Sequence, residues 1–78
     1  DRIEPLLARI RAASPPGLKE RKRGVFYFKS QAFLHFHEDP KGMFADVGLG
    51  KGFERLQVDD AAGAEALLGR IEAILGAV

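Results

Sequence analysis

The spacing of apolar residues changes period twice along the chain. Ile3, Leu6, Leu7 and Ile10 recur at i, i+3, i+4 and i+7, which predicts an amphipathic helix over residues 1–13. Arg2, Glu4, Arg9 and Arg11 lie largely off that stripe, and Pro5 is tolerable because it falls in the first turn. Ser14-Pro15-Pro16-Gly17 ends the helix, since two prolines cannot continue it. The period then becomes two. Residues 25–29 (VFYFK), 32–37 (AFLHFH), 43–47 (MFADV) and 53–58 (FERLQV) predict four strands. Ser30-Gln31, the turn residues 38–42 and the glycine-rich stretch 48–52 join them. A helical period returns at Ala64, Leu67, Leu68, Ile71, Ile74 and Leu75, behind the capping pair Asp59-Asp60. Gly63 and Gly69 weaken that helix by about 1 kcal/mol each relative to Ala, so packing must compensate or exploit the close approach.

The expected fold is α+β, in the order α-β-β-β-β-α. It is a four-stranded antiparallel meander flanked by N- and C-terminal helices, with both helices on one sheet face and residues 1–78 forming a single domain. In the central hairpin a four-residue loop, 38–41, sets Phe36 opposite Met43, Leu34 opposite Ala45, His35 opposite Phe44 and Phe33 opposite Asp46. Leu34, Phe36, Met43, Ala45 and Val47 then share a core face, joined by Leu56 and Val58. A one-residue slip would bury Asp46 beside Leu34, so the pattern opposes it. For the first hairpin two registers stay open: a two-residue loop pairs Tyr27 with Leu34, and a three-residue loop puts Phe26 beside Leu34.

Composition narrows the function classes. The chain has no cysteine, which excludes disulfides and thiolate metal sites. A formal net charge of +1 is too near neutral to argue for nucleic acid or membrane from charge alone. No apolar run approaches the roughly 20 residues that span a bilayer, and no signal peptide is visible, so a cytoplasmic protein is expected. A domain this small builds a modest core, and association with a second copy is one way to gain stability.

The run VFYFKSQAFLHFHEDPKGMFADV, with the order of elements around it, resembles the small bacterial MmcQ/YjbR-like and YdhG-type domains. That resemblance implies a frataxin-like (CyaY-like) α+β arrangement. Frataxin-like iron binding uses an acidic helix and edge, whereas the first helix here sets Arg2, Arg9 and Arg11 against Asp1 and Glu4, so iron handling does not carry over. The DNA binding supposed for YjbR-like proteins finds no transferable residue motif.

The second sheet face collects the candidate chemistry: Phe33, His35, His37, Phe44 and Asp46. Its aromatic rings suggest a binding or assembly module that self-associates through this face. His35-x-His37 also has metal-ligand spacing, with Asp46 as a third donor. The basic stretch from Lys19 through Arg21, Lys22 and Arg23 reads as a solvated connector, or alternatively as phosphate contacts of a nucleic-acid accessory domain. Ser14 and Ser30 sit in turns with no histidine on the same face, so nucleophilic catalysis has little support, and no cofactor is expected.

Overall fold

A computed structural model describes residues 3–13, 15–50 and 52–77. Their order is α1 (Glu4–Ala13), β1 (Leu18–Lys22), β2 (Val25–Phe28), β3 (Gln31–Asp39), β4 (Gly42–Val47), β5 (Glu54–Gln57) and α2 (Ala61–Gly76). The α+β class holds, and the five strands form one antiparallel sheet in sequence order. The sheet has one strand more than the four expected. LKERK has little intrinsic strand preference and reads as a solvated connector, but Gly24, at φ 79°, turns the chain back and lets it pair with β2. Its charges then occupy an edge strand, where they discourage further pairing.

The β3–β4 hairpin closes through Pro40-Lys41, not through a four-residue loop. Asp39 opposes Gly42, Glu38 opposes Met43, His37 opposes Phe44, Phe36 opposes Ala45, His35 opposes Asp46 and Leu34 opposes Val47. The expected register is thus wrong by two residues. A two-residue shift leaves every side chain on its expected face, which is why hydrophobic alternation could not detect it.

The β2–β3 hairpin turns at Lys29-Ser30, pairing Phe28 with Gln31 and Tyr27 with Ala32. A bulge at Phe33 then brings Phe26 opposite Leu34. That pairing is one of the two anticipated, reached by an inserted residue and not by a longer loop. The extra residue interrupts the alternation, so Phe33 and Leu34 are both buried, at 0% and 1% exposure. Phe33 packs 6.5 Å from the ring of Phe28 and is not part of the second face.

Leu6, Leu7 and Ile10 of α1 join Leu67 and Ile71 of α2 in one buried cluster with Phe26, Phe28, Phe33, Leu34, Met43, Ala45, Val47 and Val58. Phe36 and Leu56 pack against it. Gly63 permits the entry of α2: a Cβ there would collide with the Gln57 carbonyl, whereas Gly69 faces open space. Asp60 caps α2 by accepting from the Gly63 N–H at 2.8 Å, and Asp59 reaches back to accept from the Met43 N–H at 2.9 Å. The sheet face turned away from this cluster, called the outer face below, carries Tyr27, His35, His37, Phe44, Asp46 and Arg55.

Candidate metal centre

The corrected β3–β4 register assembles this site. It sets Asp46 of β4 directly opposite His35 of β3, while His37 lies one side-chain repeat further along the same face. The Asp46 Oδ2 atom lies 3.2 Å from His35 Nε2 and 3.6 Å from His37 Nε2. One donor atom from each residue falls within 4.8 Å of the other two. Two imidazoles and a carboxylate form a donor set suited to a divalent transition ion. In a tetrahedral zinc site with bonds near 2.1 Å, ligand atoms stand about 3.4 Å apart, so a small turn of the imidazoles closes the triad around an ion.

Arg55 of β5 stands opposite Asp46 and grips it twice, Nε donating to Oδ1 at 2.8 Å and Nη2 to Oδ2 at 3.0 Å. This pairing holds the Asp46 carboxyl below its usual range against the opposing effect of burial, with His35 and His37 adding smaller electrostatic contributions. Asp46 is therefore an ionised, 8% exposed carboxylate whose orientation is fixed from the side away from the imidazoles. An outer partner of this kind is a regular feature of metal-ligating carboxylates.

His37 Nε2 is buried and has no hydrogen-bond partner. A buried polar atom normally has one, so this nitrogen calls for an explanation. Two rings wall the triad: Phe44 stacks on His37 at 6.0 Å, and Phe53, 42% exposed, lies 6.3 Å from His35.

Of the five residues assigned to the second face, the structure gathers His35, His37, Phe44 and Asp46 and withdraws Phe33 into the core. With Phe33 buried, a self-associating face would have less apolar surface than the sequence suggested. Arg55 and Phe53 were missed as members. Alternation does place both on one face of residues 53–58, but only the true β4–β5 register shows that Arg55 meets Asp46.

The basic stretch is divided. Lys19 and Arg21 lie beside Tyr27 on the outer face, while Arg23 bonds Glu4 of α1 at 2.6 Å. A hollow of about 710 Å³ lies elsewhere, between α1 and α2. Two of its polar groups, Arg9 and Glu65, bond each other at 2.6 Å, and its lining offers no convergent metal donors. No helix among the described residues is long and apolar enough to cross a membrane. Comparison with protein-family models, curated proteins and solved structures returns no match, and none of them identifies the family that the central run resembles.

Proposed function

We propose that the chain is a small metal-binding module that holds a divalent transition ion, zinc being the reference case, through His35, His37 and Asp46. The observation that carries this reading is the unpartnered, buried Nε2 of His37, directed with His35 Nε2 toward a single carboxylate oxygen. A cation between them would satisfy the two nitrogens and that oxygen at once. Arg55 would keep Oδ1 while Oδ2 turns to the ion, and Phe44 and Phe53 would limit water on either side. Both helices are taken to cover the opposite sheet face, leaving this one accessible. Three protein donors leave a fourth position for water or another ligand.

Calorimetric titration with zinc, paired with thermal melting, tests the proposal. Wild-type protein should bind about one ion and melt higher in its presence. His37→Ala and Asp46→Asn should each weaken affinity by at least about tenfold. Binding should also release protons and weaken in acid, since protonated imidazoles cannot ligate. Absence of saturable binding, or affinity unchanged in both variants, would reject the site.

A further inference from the structure

The described arginines separate into two groups. Arg9, Arg11, Arg23, Arg55 and Arg70 each bond a carboxylate. Arg21 instead lies over the Tyr27 ring, 4.6 Å from its centroid. Beside it Lys19 and Lys29 join Tyr27, Ser30 and Gly17 around a hollow of about 190 Å³. Among the described residues no carboxylate pairs with Lys19, Arg21, Lys22 or Lys29.

A second bulge produces this arrangement. The β1–β2 ladder runs Lys19 opposite Tyr27 and Glu20 opposite Phe26, then skips Arg21 and resumes with Lys22 opposite Val25. Val25 shares a row with His35, so the register places Lys22 on the outer face too. The acid of the segment goes the other way. Glu20 accepts from Arg11 at 2.7 and 2.9 Å and from the Gly24 N–H at 2.9 Å. The strand thus collects its cations on one face and neutralises its acid on the other. Lys29 and Ser30 complete the cluster with positive φ, 49° and 73°, where Asn-Gly would be the cheap choice for such a turn. Non-glycine residues held there are a recurrent mark of functional segments.

We infer that this ledge binds single-stranded nucleic acid. Three cations of β1, Lys19, Arg21 and Lys22, and Lys29 in the β2–β3 turn, whose ammonium lies 5.3 Å from the centroid of the Phe28 ring, have no carboxylate partner among the described residues and can meet a line of phosphates, and binding would release the counterions that the cations otherwise gather. The guanidinium of Arg21 stacked with Tyr27 offers a flat platform for one unpaired base. A broad sheet face cannot enter the duplex major groove as a helix or two-stranded ribbon does, which favours a single strand. An anionic membrane fits less well: the exposed large hydrophobic among the described residues is Phe53, beside β5 at the far edge of the sheet.

Fluorescence anisotropy of the full chain with labelled oligo-dT and oligo-U, measured over a salt series, tests this. Four phosphate contacts predict a slope of log affinity against log salt near −3, from about −0.7 per contact. Lys19→Glu and Lys29→Glu should each weaken binding at low salt by about tenfold and flatten the slope by about one unit or more. Lys41→Glu is the control: Lys41 is exposed and lies in the β3–β4 turn at the opposite end of the sheet, so this variant should stay within about twofold of wild type. Tyr27→Phe keeps the ring and should bind, whereas Tyr27→Leu should lose roughly fivefold or more. Circular dichroism confirms that each variant is folded. Equal losses for Lys41→Glu and Lys19→Glu would show mere net charge and overturn the inference. So would no measurable binding at low salt, or equal affinity for phosphatidylserine vesicles with the same residue dependence.

Discussion

On the β4–β5 side of the outer face, Asp46 is met by Arg55, His35 and His37; on the β1–β2 side, Lys19, Arg21, Lys22 and Lys29 meet no carboxylate among the described residues. The first side lies on regular ladders, β3 to β4 and β4 to β5, with every pair in step. The second lies on two ladders that each skip a residue. Here the regular ladders set Asp46 across from Arg55 and His35, so its charge is compensated. A bulge sends neighbouring residues to one face, and here it concentrates like charge. The whole-chain net charge of +1 conceals the difference, because acidic residues elsewhere in the chain offset these cations in the sum.

The largest effect expected concerns the bulge that separates the halves. Phe33→Ala should destabilise the protein by about 3–5 kcal/mol, the usual cost of removing a fully buried phenyl ring. Phe44→Ala, on the same strict alternation but half-buried, should cost clearly less. Urea denaturation of both variants decides the matter. Under an unbulged strand the two rings would lie on one outer face and their costs would be similar, so comparable midpoints would remove the bulge.

The same contrast explains what could be read from the sequence. The α+β class, both helices, the four aromatic or alternating strands and the core face of Leu34, Ala45, Val47 and Val58 follow from period and turn chemistry, and the structure has them. The β3–β4 register was misread, yet its faces survived, because alternation reports only whether a residue points in or out. Phe33 was misplaced because a bulge leaves no local mark in AFLHFH; its position depends on Phe26 and Phe28, which it packs beside. The strand 18–22 was invisible because LKERK is charged throughout and gains its conformation only by pairing with β2. His35, His37 and Asp46 were recognisable as donors, but their convergence required the two-residue shift, and Arg55 required the β5 pairing.

A smaller effect tests the compensated half. With its pKa lowered by Arg55, the Asp46 carboxylate binds protons less readily in the folded chain than in the unfolded one. Its contribution to stability is therefore complete above the unfolded carboxyl value near pH 4 and is lost as pH falls through the lower folded value. Asp46→Asn should reduce stability at neutral pH by less than Phe33→Ala does, because Arg55 is largely exposed and the pair is partly screened. It should also flatten the acid limb of the stability curve. Glu4 and Glu20, likewise lowered by arginine partners, should keep part of that limb in the variant. An acid limb identical in variant and wild type would mean that Arg55 does not hold Asp46 in solution.

The smallest effect has the opposite sign and belongs to the uncompensated half. Lys29 and Ser30 occupy both central positions of the β2–β3 turn with positive φ. Most side chains avoid that region, and Asn-Gly adopts it at least cost. The double change Lys29→Asn with Ser30→Gly should therefore stabilise the chain by about 0.5–1 kcal/mol, even though it removes a charge and adds a flexible residue. Part of that gain would come from relieving repulsion with Lys19 and Arg21, set against loss of the Lys29 ammonium's contact with the Phe28 ring, and that part should shrink as salt is added. Stability and nucleic-acid affinity would then move in opposite directions in one variant, as expected where a strained turn is kept for binding. Denaturation at low and high salt separates the two contributions. A gain independent of salt would assign the whole effect to backbone strain, and a loss of stability would show that the turn does not hold this conformation in solution.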